Sequence, residues 1–237
     1  MTPRLVHFFG PDGAGKTTQV KLLIDYYQNR GLKVRKYWVR SPHTFAYFLW
    51  KFLVSIGFYR AVVNCFDVEV KTPAVQNSAF LKKAWSLLEF FSVLPLIMRA
   101  QIYLRRGYTL IAERYLFDTV VTVAYFLDDP AFSKSLISRI LLHFIPQNTN
   151  FIFLDTDFET IYKRRAKFYN QRISKNRQSV FTYGEVPAAA LEPNHFIDFQ
   201  RKMYASFARS YNALVIDTSK SSLEETFDQI VAYLNIT

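Results

Sequence analysis

The stretch that most constrains this chain is Phe9–Gln19, FGPDGAGKTTQ, which holds three of the chain's seven glycines. Before it, Leu5-Val-His-Phe-Phe9 reads as a short buried strand. After it, Val20, Leu22, Leu23, Ile24, Tyr26 and Tyr27 recur at helical spacing, and Gly31 stops the helix. Gly10-Pro-Asp-Gly-Ala-Gly15-Lys16-Thr17 therefore fits G-x-x-x-x-G-K-[ST] between a strand and a helix, the context the pattern requires. Glycines let the backbone fold back so that successive N–H groups point at one anion, and the helix adds its own free N–H groups. Such a loop holds a nucleoside triphosphate. The candidate cofactor-binding residues are Gly10, Asp12, Gly13, Ala14, Gly15, Lys16, Thr17 and Thr18. Lys16 places a charge on the β/γ-phosphates, and the Thr17 hydroxyl is a ligand for Mg²⁺. Asp12, a carboxylate among phosphates, either orients the acceptor side or simply forms the turn.

Strands and helices alternate along the rest of the chain. Further strands are expected at Val34–Val39, Tyr108–Ala112, Phe151–Leu154 and Leu214–Ile216. Helices are expected at His43–Tyr59, Ser78–Arg106, Leu116–Leu127, Phe132–Ile145, Phe158–Phe168, Pro193–Asn212 and Leu223–Leu234. Residues 60–77 give no clear period. This alternation points to an α/β fold, a parallel sheet with helices on both faces.

The 237 residues show no repeat, low-complexity tract or linker, so one domain over 1–237 is expected. Half the residues are hydrophobic, enough for a core, and the net charge of +11 points to anionic partners: nucleotides, nucleic acid or a membrane surface. Cys65 is the single cysteine, which excludes an intrachain disulfide. The N-terminus lacks the apolar core of a signal peptide. Phe45–Tyr59 is interrupted by Lys51, and Leu87–Met98 falls short of the roughly 18 apolar residues of a membrane span. The expected setting is cytoplasmic, without membrane insertion.

Several motifs resemble those of the thymidylate kinases. PDGAGKTTQ is similar to their phosphate loop. AERY (Ala112–Tyr115) resembles their Asp-Arg-Tyr motif, with Glu113 in place of Asp. FLDTDFETIYKRR (Phe153–Arg165) resembles the strand and helix leading into their lid. FQRKMYASFA and LVIDTSKSSLEETFDQI match the pattern of their last helices and strand. The resemblance implies a P-loop NTPase fold with a five-stranded parallel sheet in the order 2-3-1-4-5. It also implies transfer of the ATP γ-phosphoryl group to a nucleoside monophosphate, dTMP by inheritance, with Mg²⁺. Such transfer rests on in-line positioning and charge neutralisation.

By the same resemblance Lys16, Asp12 and Arg114 are catalytic, and Arg114 clamps the acceptor phosphate as a two-pronged donor. Glu113 acts near Mg²⁺ or its waters, and Arg40, at the end of the second strand, is a second phosphate ligand. Residues 163–177 hold seven Lys/Arg and no acid, at the start of an expected mobile lid over about 163–190. Ala14 stands where some relatives carry a catalytic arginine, so a lid arginine must supply that charge. Arg172 and Arg177 are the candidates, with Arg165 behind them.

The resemblance thins at the acceptor base. Relatives place a phenylalanine, and four residues later an arginine, on the long helix before the third strand. Here Phe90 or Phe91 could stack, but no arginine stands four residues beyond either one. After Arg114 the family's Ala-Tyr-Gln becomes Ala124-Tyr125-Phe126, and Asp118 stands ready to bind a sugar hydroxyl or a different base, or simply to start a helix. Two other readings follow: the same fold with another nucleotide or small-metabolite acceptor, or an ATP-dependent nucleic-acid-binding protein. Nucleic acid is disfavoured because the basic residues concentrate where a lid belongs. The apolar, aromatic helices at 43–59 and 78–106 suggest a symmetric homodimer.

Overall fold

The computed structural model describes residues 5–63, 69–164 and 194–234. Among these residues seven strands form: β1 (Leu5–Phe9), β2 (Val34–Tyr37), β3 (Tyr59–Val63), β4 (Glu69–Pro73), β5 (Thr109–Glu113), β6 (Thr149–Asp155) and β7 (Leu214–Asp217). Five make one sheet in the order β2-β5-β1-β6-β7, every neighbouring pair parallel. With the β3–β4 pair set aside, this is the expected order 2-3-1-4-5. β1 lies in the centre, pairing Leu5 with Leu110 on one side and Thr149 on the other.

Each side of the sheet takes alternate residues of β1. Val6 and Phe8 face α1 (Lys16–Asn29), where Val20, Leu23 and Tyr27 are buried, and α7 (Leu223–Tyr233), which contributes Ile230. Leu5 and Phe9 face the larger core beneath α3 (Ala79–Arg105), α4 (Leu116–Phe126) and α6 (Asn194–Ser210). Here aromatic rings do much of the filling. Phe117 stacks on Phe207 at 4.6 Å and on Phe151 at 5.3 Å, and Phe9 stacks on Phe153 at 5.3 Å. α4 is buried on almost every side, as its run of Leu, Phe, Val and Ala requires.

α3 is the long helix the sequence announces. The Ser78 hydroxyl caps it by accepting from the N–H groups of Phe80 and Leu81, and Gly107 turns the chain beyond its end with a φ of 80°. Its inner face buries Trp85, Glu89, Val93, Ile97, Ala100 and Leu104. Its outer face leaves Phe80, Leu87, Phe91, Met98 and Ile102 exposed. By length and composition α3 could cross a membrane, contrary to the expectation from the sequence, but its inner face belongs to the core.

Three stretches differ from expectation. Residues 59–63 and 69–73, where the sequence shows no clear period, pair antiparallel as β3 and β4. The helix expected over Phe132–Ile145 is instead a 3₁₀ turn, Pro130–Lys134, followed by α5 (Leu136–His143). Ser135 divides them by capping α5 through the Ser138 N–H. α2 (Thr44–Ser55) likewise ends early, and Gly57, with a φ of 86°, turns the chain into β3.

The fold brings the phosphate loop against β6. A Cβ on Gly10 would sit 2.0 Å from the Leu154 carbonyl oxygen, and the φ of 140° is itself unfavourable for any side chain. Gly10→Ala is expected to destabilise the protein by about 2 kcal/mol or more, read as a lower urea midpoint with an unchanged slope.

Candidate active site

The phosphate loop leaves β1 at Gly10 and enters α1 through Gly15, whose left-handed φ of 86° sets the helix N-terminus facing the loop. Lys16 is buried. Its ammonium donates to the carbonyls of Gly10 and Pro11 at 2.8 and 2.7 Å. A cavity of about 590 Å³ opens here, bounded by Gly13–Thr18, by Glu113 and Arg164 at its rim, and by Leu223 and Thr226 opposite. Arg164 donates to the Gly13 carbonyl at 2.8 Å and to the Thr218 carbonyl at 2.9 Å, tying the loop to the end of β7. The sequence flags the basic run containing Arg164 without selecting this residue.

At the carboxyl ends of β1, β2 and β5 a second cluster forms around Asp12. The Arg114 guanidinium contacts the Asp12 carboxylate, with Arg40 at 3.5 Å and Lys16 at 3.6 Å. Three cations thus converge on one carboxylate beside the phosphate loop. Arg114 holds its place with a left-handed φ of 73°, uncommon for a side-chain-bearing residue. Its N–H donates to Phe8 O at 3.0 Å, and its carbonyl accepts from Val39 N–H at 3.3 Å, so three strand ends are locked together at this residue.

Asp118 stands behind Arg114 rather than in the open. It is fully buried and accepts from Arg114 at 2.9 Å, from the Tyr204 hydroxyl at 2.8 Å and from the Tyr115 N–H at 3.2 Å. The last contact caps the first turn of α4. Burial alone would raise its carboxyl; His7 at 3.7 Å and the charge of Arg114 outweigh that and hold it below the ordinary carboxylate range. His7 is itself held neutral by burial. Of the two readings the sequence leaves for Asp118, an acceptor contact or a helix start, its oxygens here make the second, and they also serve Arg114 and Tyr204.

Glu113, one carbon longer than the family's Asp, reaches the phosphate loop. It accepts from the Thr17 hydroxyl and contacts Lys36 through its other oxygen. Among the described residues no group of three or more His, Cys, Asp or Glu could hold a metal ion. The donor set at this corner is one hydroxyl and one carboxylate, hard oxygen ligands that suit Mg²⁺ when phosphate and water oxygens complete its shell.

The acceptor-base expectations fare differently. Phe91 is 58% exposed and lies about 200° round α3 from Glu89, the residue that meets the loop after Arg40. It therefore points away from the Asp12 cluster. Phe90 packs against the core and edge-on to Phe91 at 5.4 Å. Residues the sequence does not single out face the cluster's side instead: Ser41 bonds Glu89 at 2.6 Å, and His43 meets Thr119 at 3.0 Å. Arg165, Arg172, Arg177 and most of the expected lid lie outside the described residues.

Removing Asp118 would leave Arg114 and Tyr204 buried beside it without their acceptor. Asp118→Ala is expected to cost about 3 kcal/mol or more in urea unfolding. Because the folded carboxyl is depressed, this stabilisation is present in full above the unfolded value of 3.8. It is lost as the pH falls through the lower folded value, a loss the variant should not show.

No protein-family model matches the chain. The probable thymidylate kinase of Methanocaldococcus jannaschii is 25% identical over 228 residues, 96% of this chain and 93% of that protein. A solved thymidylate kinase structure from Candida albicans superposes with a TM-score of 0.56 at 16% identity, over 99% of this chain and 92% of that one. The chain thus has the fold of a thymidylate kinase and is similar in sequence to a probable thymidylate kinase over almost its whole length.

Proposed function

We propose that the chain is a nucleoside-monophosphate kinase, transferring the γ-phosphoryl group of ATP to dTMP to give dTDP. The observation that carries this reading is the convergence of Lys16, Arg40 and Arg114 on Asp12 beside the phosphate loop. A hydrolase needs cations at one triphosphate. A kinase needs a second anion site, in line with the first, and these arginines supply it.

In this reading the N–H groups of the loop and the start of α1 hold the β-phosphate, and Lys16 swings from the Gly10 and Pro11 carbonyls to the β/γ-phosphates. Arg114 and Arg40 take the acceptor phosphate and hold its oxygen against the γ-phosphorus. Asp12, released from Arg114 by that phosphate, orients the acceptor. Thr17 and Glu113 would hold Mg²⁺, which would neutralise charge on the β- and γ-oxygens. Arg172 or Arg177 is the proposed lid charge over the transferring group. The proposed setting is the cytoplasm.

A second reading keeps the chemistry and changes the acceptor. The long helix carries Leu94 and Pro95, not arginine, four residues after Phe90 and Phe91, and Phe91 faces outward. Mg-ATP consumption across a panel of ribo- and deoxyribonucleoside monophosphates decides between them. Stimulation by dTMP is expected; stimulation by a different monophosphate retires dTMP. Lys16→Ala should lower turnover by at least about 10²-fold with the circular dichroism spectrum unchanged.

We also propose a homodimer, formed through the exposed apolar residues of α2 and α3. Phe45, Phe48 and Phe52 on α2, and Phe80, Leu87, Met98 and Ile102 on α3, are large apolar side chains left exposed on these two helices. Sedimentation should find a dimer, and Leu87→Glu with Met98→Glu should give a monomer.

A further inference from the structure

Arg40 sits on a connection with little regular backbone support, between the end of β2 at Tyr37 and the start of α2 at Thr44. Yet Ser41 and His43 are buried at 1% and 3% exposure. The connection is held by side chains from two helices. Glu89 of α3 accepts from the Ser41 hydroxyl at 2.6 Å. Ser92, one turn on, accepts from the Thr44 hydroxyl through its carbonyl at 2.8 Å and from the Ala46 N–H through its hydroxyl at 3.1 Å. Thr119 of α4 meets His43.

Glu89 is the unexpected member. It is 1% exposed, at an inward position of α3 between Trp85 and Val93, and no cation stands within ion-pair distance among the described residues. A buried carboxyl without a counter-ion is a liability to packing. A leucine would continue the apolar face at that position. What the carboxyl does, and a leucine could not, is hold the residue next to Arg40.

We propose that Glu89 is a positioning residue that, through Ser41, fixes Arg40 for the acceptor phosphate. This rests on the kinase reading above. The distance from Glu89 to the chemistry is two steps, Ser41 and then Arg40, so the effect falls on acceptor binding and leaves the ATP side alone. Burial pushes the Glu89 carboxyl up to about 7, opposed by the Ser41 hydroxyl, the His43 amide and Trp85. The titratable group facing it from the loop is His43, which burial holds neutral down to about 3. α4 presents the uncharged Thr119. The ionised carboxylate is the stronger acceptor for Ser41. The grip on the loop therefore weakens as the pH falls through neutrality.

The test compares wild type with Glu89→Leu, Glu89→Gln and Ser41→Ala, by steady-state kinetics from pH 5.5 to 8.5 and by hydrogen exchange of residues 40–46. Glu89→Leu and Ser41→Ala should speed exchange across 40–46 and raise the acceptor KM about tenfold, with the ATP KM unchanged. Glu89→Gln, which keeps an acceptor oxygen, should raise it less. It should also lose the part of the wild-type pH dependence that the acceptor's own phosphate, which titrates near pH 6, does not explain. Unchanged exchange, or faster exchange with an unchanged acceptor KM, would overturn the proposal. If Glu89→Leu fails to fold, the other two variants decide by the same readings. A wild type inert with every monophosphate would overturn the kinase reading, and this proposal with it. An active wild type with indifferent variants would overturn this proposal alone.

Discussion

The ion pair between Arg114 and two carboxylates, Asp12 in front and Asp118 behind, is the contact on which the site depends. A guanidinium this buried would be untenable alone. Asp118 makes its burial possible, and Asp12 occupies the side from which a phosphate would approach. The backbone repeats the arrangement. Arg114 closes β5 in a left-handed conformation and bonds to β1 at Phe8 and to the chain beyond β2 at Val39. Side-chain charge and main-chain geometry thus converge at one residue, where a parallel sheet opens toward its ligands.

Around this point the two faces of the sheet do different work. The α1 and α7 side carries the phosphate loop and is packed mainly with aliphatic residues, joined by Phe8 and Tyr27. The α3, α4 and α6 side is aromatic and carries the polar supports: Asp118, Tyr204, His7, and the Glu89–Ser41 and His43–Thr119 pairs. The ATP side is built mainly from backbone. The other side is built from buried side chains.

The phosphate loop, the strand before it and the helix after it are legible because each leaves a local mark: glycine spacing, period 3.6, or short apolar runs. The order of the main sheet leaves none and is expected only through the resemblance to the thymidylate kinases. Glu113 is marked by its place after a strand, and its reach to Thr17 settles its position. The β3–β4 pair is not legible, since residues 60–77 give no clear period. Asp118 stands out in the sequence with two readings, a ligand contact or a helix start, because sequence does not show which side of a helix start meets the core. Glu89 carries a signal of its own: it is a lone carboxylate on the inward stripe of Trp85, Val93, Ile97 and Leu104. Its partner Ser41 is far away in sequence, and no spacing rule joins them.

The central place of β1 has a consequence for how the protein is made. Leu5 pairs with Leu110 and with Thr149, so β1 has no neighbour in the sheet until β5 is made and no second one until β6 is made. Until then the phosphate loop is tethered to an unpaired strand. Contacts this distant in sequence form slowly and leave apolar strand edges open to wrong partners meanwhile. A truncated chain ending before β6 would thus be more than inactive. It would expose Val6, Phe8 and Phe9 on an unfinished sheet, and the nascent protein would lean on chaperones for a long stretch of its synthesis.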